Sequence, residues 1–79
     1  MRIYSAKLTC DRIFELSKEK GWTDSKLASI LNLTPQAISK WRRGAGSPSI
    51  EMLTMLQELF EVNMDDLVGR QEVDIDFNL

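Results

Sequence analysis

The chain has 79 residues, and 43% of them are hydrophobic, which excludes a disordered chain and leaves room for one small domain. It contains no histidine and a single cysteine, Cys10. This excludes an internal disulfide and a Cys/His metal site, and it disfavours acid–base catalysis near pH 7. No apolar run approaches the roughly 18 residues of a membrane span, and the first ten residues lack the apolar segment of a signal peptide. We therefore expect a cytoplasmic protein that is not an enzyme and holds no metal or cofactor.

The net charge of −2 conceals an uneven distribution along the chain. Residues 1–49 carry nine Lys and Arg against four Asp and Glu, a net of +5, whereas residues 50–79 carry one Arg against eight Asp and Glu, a net of −7. The basic first part favours an anion-binding surface, although ordinary solvated helix surfaces would also carry such charges.

The first predicted helix runs from Thr9 to Lys20, with Thr9 as a candidate N-cap and Gly21 as a left-handed terminator. Its apolar residues recur at helical spacing, namely Cys10, Ile13, Phe14 and Leu16. Residues 2–6 are partly β-favouring and are assigned to no element.

Two short helices are predicted next, over 24–31 and 35–43. Thr23 caps the first and Asn32 ends it, whereas Thr34 caps the second, Pro35 takes its first position and Gly44 closes it. The residues predicted to point inward are Leu27, Ala28, Leu31, Leu33, Ile38 and Trp41.

A fourth helix is predicted from Ile50 to about Glu61, capped by Ser49, and a fifth from Met64 to Val68, ended by Gly69. The fourth helix has an inward stripe, predicted to be Ile50, Leu53, Leu56 and Phe60. A second stripe is either secondary core or a dimer seam, and it consists of Met52, Met55 and Leu59.

The C-terminal residues alternate between apolar and polar, which predicts a strand. The apolar positions are Val73, Ile75, Phe77 and Leu79. This strand could pair across a two-fold axis and make a dimer, fold back onto residues 2–6, or be the linker end of a longer protein. We therefore expect a domain over residues 1–69 and a tail over 70–79 that is a possible strand or dimerisation segment.

The helices at 24–31 and 35–43 are separated by only three residues, which is the spacing of a helix-turn-helix. In that motif the second helix lies in the major groove of DNA. Because Ile38 and Trp41 face the core, the opposite face offers mostly polar side chains, namely Pro35, Gln36, Ser39, Lys40 and Arg43.

The stretch from Arg12 to Val68 resembles the phage-repressor and Cro-like helix-turn-helix family, whose members have a lambda-repressor-like DNA-binding domain. The matching residues are Arg12-Ile13, Leu16, Lys20-Gly21-Trp22-Thr23, Leu27-Ala28, Leu31, Leu33-Thr34, Ile38-Ser39-Lys40-Trp41, Arg43-Gly44, Pro48-Ser49, Leu53, Leu56, Val62 and Met64-Asp65-Asp66-Leu67.

The resemblance implies an all-α, five-helix domain that binds operator DNA as a homodimer. It implies that bases are contacted by Pro35, Gln36, Ala37 and Lys40. It implies phosphate contacts from the start of the second helix and from the third helix onward, which fall on Thr23, Lys26, Ser39, Arg43 and Ser47.

Three departures from the family pattern affect this assignment. Asp24 replaces a glutamine and would repel a phosphate, so only its backbone N–H can serve there. Pro35 can offer a base only apolar contact. Ser17 and Arg42 replace an Arg and a Glu that pair in the family, which leaves Arg42 to meet Glu15, Glu19 or DNA.

These residues favour a DNA-binding transcriptional regulator, a prophage-type repressor or Cro-like protein on a near-palindromic operator. The alternative is a protein-interaction module, such as an antitoxin or anti-repressor, that binds a protein partner through its acidic residues 50–79.

Overall fold

The computed structural model describes residues 1–74 and contains five helices and two short strands in that range. In chain order the elements are β1 (Arg2–Tyr4), α1 (Ala6–Glu19), α2 (Asp24–Leu31), α3 (Pro35–Arg42), α4 (Ile50–Phe60), α5 (Met64–Leu67) and β2 (Arg70–Glu72). The predicted five-helix fold with a short C-terminal strand is confirmed. Within residues 1–74, no helix combines the length and the apolar character that crossing a membrane requires.

Polar caps begin the helices, because a side-chain oxygen can accept from a backbone N–H that the first turn leaves free. Thr23, Thr34 and Ser49 are confirmed in this role, and each accepts from the N–H three residues on at 3.1 Å. The predicted start of the first helix is wrong. α1 begins at Ala6, and its N-cap is Ser5, whose hydroxyl also accepts from the N–H three residues on at 3.1 Å.

Thr9 has a tertiary contact in place of the predicted cap. It is fully buried inside α1, and its Oγ1 accepts a hydrogen bond from the backbone N–H of Gly69 at 2.9 Å. This bond fastens the chain just beyond α5 to the first half of α1. The approach requires glycine, because a Cβ at position 69 would lie 2.3 Å from the Cβ of Leu8.

The observed helix ends lie at the predicted residues or one residue before them. Gly21 and Gly44 follow α1 and α3 at φ 77° and 73°, and Asn32 ends α2 at φ 55°. These left-handed conformations satisfy the last carbonyls of each helix and turn the chain sharply.

One core joins all five helices. Its buried residues are Cys10, Ile13, Leu16, Leu27, Ala28, Leu31, Ile38, Trp41, Leu53, Leu56, Phe60 and Leu67. Trp22 covers one side of this core, with its ring centroid 5.2 Å from that of Phe60. Burial raises the pKa of the Cys10 thiol to about 11, as expected for a small apolar core residue.

The predicted stripes of the fourth helix need one correction. Ile50 does not point inward; it is 76% exposed at the first position of α4. Ile50 lies one turn before Leu53, at the edge of the buried stripe away from Leu56 and Phe60, and only the cap Ser49 and the loop precede it. In the second stripe, Met52 packs against the core, whereas Met55 and Leu59 are each 38% exposed.

The two strands form an antiparallel sheet from the two ends of the described chain. Arg2 pairs with Glu72 and Tyr4 with Arg70. Of the three arrangements considered for the tail, residues 70–73 therefore fold back onto β1, and the N–H of Val73 donates to the carbonyl of Met1 at 2.8 Å. The strand comprises 70–72, and Val73 directly follows it. The other alternating residues that predicted a strand, Ile75, Phe77 and Leu79, lie outside the described residues.

Candidate nucleic-acid interface

The turn between α2 and α3 fixes how the two helices meet. Asn32 is left-handed, and the N–H of Leu33 donates to the carbonyl of Ala28 at 2.8 Å. Leu33 then packs partly buried against the core. Ile38 and Trp41 on α3 are each 4% exposed, so the inner face of this helix is fully used in packing.

The outer face of α3 is free within the described chain. Gln36, Ser39, Lys40 and Arg43 are exposed and recur at i, i+3, i+4 and i+7, which places them on one face. Pro35 is exposed beside them, and Ala37 is half-buried toward the flank. Of the four predicted base-contacting residues, Pro35, Gln36 and Ala37 lie in the first turn of α3 and Lys40 in its last turn. Pro35, Gln36 and Lys40 are exposed on the side turned away from the core.

The predicted phosphate-contacting residues lie on three elements. Thr23 and Lys26 are exposed at the start of α2, where the hydroxyl of Thr23 is engaged as the cap and accepts from the N–H of Lys26. Arg43 follows α3, and its N–H completes the last turn. Ser47 is exposed in the loop before α4, and its hydroxyl lies 3.0 Å from that of Tyr4 on β1.

The cations on this side of the molecule are largely unpaired. Lys26, Lys40 and Arg43 have no carboxylate within 4.0 Å in residues 1–74, in contrast to Lys7 and Arg12, which pair with acids on α1. Lys26 lies beside the N-terminus of α2, whereas Lys40 and Arg43 lie at the C-terminal end of α3, and unpaired positive charges at both places are available to an anion. We call the exposed residues Thr23, Lys26, Pro35, Gln36, Ser39, Lys40 and Arg43 the α2–α3 surface.

Arg42 lies at the edge of the α2–α3 surface and is paired. Its Nε and Nη2 donate to the two carboxylate oxygens of Asp24 at 3.0 and 2.6 Å, and its Cζ lies 4.0 Å from the centroid of the Phe14 ring. Two hydrogen bonds and a cation–π contact fix the guanidinium plane. The pair joins the last turn of α3 to the first turn of α2.

This partner is none of those considered for Arg42, since the sequence comparison offered Glu15, Glu19 or DNA. The hydrogen bonds from Arg42 lower the pKa of Asp24, and Asp24 raises the pKa of Arg42. In the sequence, Asp24 and Arg42 stand as two separate departures from the family pattern. Their opposite charges, in the facing end turns of adjacent helices, could have identified the pair.

Ser17 stands at the position whose family arginine pairs with the glutamate that Arg42 replaces. It is 4% exposed, and its hydroxyl has no hydrogen-bond partner among the described residues. It lines a cleft between α1 and the start of α2, together with Phe14, Trp22 and Arg42. The small serine leaves space there, and the arginine that borders the cleft comes from α3.

The arrangement of α2, the turn and α3 matches a known protein family. The family model described as Helix-turn-helix matches residues 13–67. The chain belongs to this helix-turn-helix family. The match covers α2, the turn and α3, the second half of α1, and all of α4 and α5, so it includes part or all of every helix that builds the core of this helix-turn-helix domain.

Individual proteins are similar to this helix-turn-helix domain in sequence and in structure. The HTH-type transcriptional regulator AnsR of Bacillus subtilis is 34% identical over 82% of this chain and 56% of its own. The HTH-type transcriptional activator BcrR of Enterococcus faecalis is 33% identical over 80% of this chain and 31% of its own. The chain thus spans about half or less of these curated relatives. A variant of the restriction-modification controller protein C.Esp1396I superimposes with a TM-score of 0.61 at 27% identity, over 80% of each chain.

Proposed function

We propose that this chain is a sequence-specific DNA-binding transcriptional regulator, of the prophage-repressor or Cro-like kind, that inserts α3 into the major groove. One observation carries the proposal. The outer face of α3 is a continuous exposed polar strip, beside cations without carboxylate partners in residues 1–74, on a helix whose opposite face is buried. An α-helix fits the major groove, which is about 12 Å wide.

The first turn of α3 and Lys40 in its last turn are proposed to contact bases. The amide of Gln36 can bond both edge groups of adenine, and Lys40 can bond the O6 and N7 of guanine. Pro35 and Ala37 carry no polar side-chain atoms, so they are assigned apolar contacts such as a thymine methyl group. These four positions therefore give the specificity of the site.

The flanks of α3 are proposed to bind the DNA backbone. Lys26 and Arg43 supply charge, whereas Ser39 and Ser47 supply hydroxyl donors. Thr23 uses its side-chain acceptor as a cap, so its contribution is the helix start that it organises. These contacts set affinity and orientation without selecting a sequence.

The relatives support regulation of transcription, since AnsR is a transcriptional regulator and BcrR a transcriptional activator. For this chain we propose repression by occupancy of a promoter, as the resemblance to phage repressors and Cro implies.

Binding to immobilised random-sequence duplex tests the proposal. The wild-type chain should be retained at about 50 mM salt and released steeply as salt rises, because each phosphate contact returns counterions to solution. Lys26→Ala and Arg43→Ala should each lower retention on every sequence and make the salt dependence shallower. An absence of retention at low salt contradicts DNA binding.

We also propose that the chain acts as a homodimer, so that two copies of α3 reach successive major grooves about 34 Å apart. The domain over residues 1–69 would carry the DNA surface. The tail over 70–79 and the exposed Met55 and Leu59 of α4 are the two candidate seams. The two residues of α4 are an exposed apolar feature that a second copy could cover, and the tail alternates apolar and polar residues from Val73 onward.

Measurement of the molecular mass in solution shows which of the two candidate surfaces forms the dimer. Deletion of residues 70–79 should yield a monomer if the tail makes the dimer, and Leu59→Glu should do so if α4 does. A wild-type chain that stays monomeric at about 100 μM contradicts the dimer. A dimer that survives both changes contradicts both seams.

A second candidate function rests on the acidic side of the molecule. Glu51, Glu58, Glu61, Asp65 and Asp66 are all exposed on or beside α4 and α5. Such a surface suits a basic protein partner, as in an antitoxin or anti-repressor. Retention on a cation-presenting resin without retention on DNA would favour this function over the first.

A further inference from the structure

We propose that Asp24 withholds Arg42 from the DNA backbone and thereby limits the affinity of the α2–α3 surface for DNA of any sequence. The inference rests on the DNA-binding function proposed above. It concerns a residue that opposes binding, in contrast to the residues assigned to bases and phosphates.

The position of the pair carries the first step. Asp24 is the first residue of α2, next to its cap Thr23, and Arg42 is the last residue of α3. Both side chains therefore border the surface assigned to DNA. They are also accessible, since the side chains of Arg42 and Asp24 are 53% and 52% exposed.

The chemistry of the pair carries the second step. A carboxylate that accepts two hydrogen bonds from one guanidinium presents the same geometry that a phosphate presents to arginine. Asp24 accepts from both Nε and Nη2, so the donors that would bind a phosphate in bidentate fashion are occupied. Phe14 of α1 lies against one face of the guanidinium, with its ring centroid 4.0 Å from Cζ.

Charge carries the third step. The pair is neutral as a unit, so it releases no counterion when DNA approaches, whereas Lys26, Lys40 and Arg43 have no carboxylate of residues 1–74 within 4.0 Å. Loss of the Asp24 charge would add one available cation to these three. The expected result is one more phosphate contact.

The variant Asp24→Asn tests this on a random-sequence duplex of about 20 bp. Affinity should exceed that of the wild type at low salt, and the slope of log affinity against log salt should steepen by about 0.9. With this steeper slope, the affinity of the variant should fall about 3.5-fold more than that of the wild type between 50 and 200 mM salt. Circular dichroism at the binding temperature confirms that the variant is folded.

Asp65→Asn is the matched control. It also frees an arginine from an exposed ion pair, because Asp65 accepts from Arg70 at 3.0 Å, but it does so between α5 and β2. Its salt slope should equal that of the wild type. An equal steepening in both variants would mean that net charge alone acts, and would overturn the inference.

The double variant Asp24→Asn/Arg42→Gln separates release of Arg42 from relief of repulsion at Asp24. The steeper slope should disappear in the double variant, because the extra contact comes from Arg42. A slope that stays steep, or a single variant with the wild-type slope, overturns the inference. If the wild-type chain itself binds no duplex, the proposed function fails first, and the two failures are thus distinct.

Discussion

Gly69 donates its backbone N–H to the hydroxyl of Thr9 at 2.9 Å, and the two residues are sixty positions apart. The neighbouring N–H of Ser5 donates to the carbonyl of Gly69 at 2.9 Å. Both backbone groups of one residue are therefore satisfied by the start of α1. This small contact holds the C-terminal part of the domain against its first helix.

Gly69→Ala should lower the free energy of unfolding by about 1–3 kcal/mol, because overpacking against a backbone cannot be relieved by a side-chain rotation. The added Cβ would lie 2.6 Å from the backbone carbon of Leu8. Urea denaturation measures the loss. Gly21→Ala is the control: its Cβ meets nothing within 4 Å, so only its positive φ opposes the change, at about 1 kcal/mol. Because Gly69 has no positive φ, a Gly69→Ala variant as stable as the wild type would show that the close approach has no energetic weight.

Gln36→Ala and Lys26→Ala should differ in kind on an operator selected from random duplexes. Gln36→Ala should weaken the binding free energy by about 1–3 kcal/mol on the selected site and change it little on random DNA, because a lost base contact removes the preference for the selected sequence. Lys26→Ala should weaken both to a similar degree. Fluorescence anisotropy at fixed salt measures, for each variant, the ratio of its affinity for the selected site to its affinity for random DNA. A loss from Gln36→Ala that is the same on both DNAs would remove Gln36 from the base-contacting set.

The Asp24–Arg42 pair should make stability depend on pH in the acid range. Arg42 lowers the pKa of Asp24 below its ordinary 3.8, so the pair stabilises the fold above that pH. The stabilisation is lost as pH falls through the lowered pKa of the folded state. The Tm of the wild type should exceed that of Asp24→Asn at pH 7, and the gap should close as pH falls below about 5. Arg42→Gln should show the same convergence, and a gap that is constant with pH would contradict it.

Cys10 should be unreactive in the folded protein. Its side chain is fully buried, and its pKa of about 11 against 9.0 for a free thiol leaves about 100-fold less thiolate at pH 7. An aromatic disulfide reagent should label it only as fast as the fold opens, and at once in concentrated urea. Rapid labelling of a protein whose circular dichroism is unchanged would show that the α1 core is accessible.

The helix boundaries were accessible from sequence because they depend on local chemistry. Thr34 and Pro35 favour the same helix start, and Asn32 tolerates the left-handed turn that precedes it. The inner face of α3 followed from the spacing of Ile38 and Trp41. Such features need no knowledge of distant residues, so the two helices and their turn could be placed correctly.

The predictions from sequence were wrong where a residue's role depends on contacts with residues far away in the chain. Thr9 is a residue type that often caps helices, but its hydroxyl accepts a hydrogen bond from Gly69, and Ser5 is the N-cap of α1. Ile50 fits the apolar period of α4, yet it lies at the edge of the buried stripe in the first helical position and is exposed. The partner of Arg42 depends on how α2 and α3 are oriented, which the spacing of either helix alone does not specify.

The pairing of β1 with β2 joins residues about seventy positions apart, in strands whose side chains are all exposed. The contacts of Gly69 with Ser5 and Thr9 already bring the two strands together, and the pairing itself buries little further surface. We therefore expect the sheet to form last during folding and to open first in the native state, with its amides exchanging hydrogen well before those of α1 and α4.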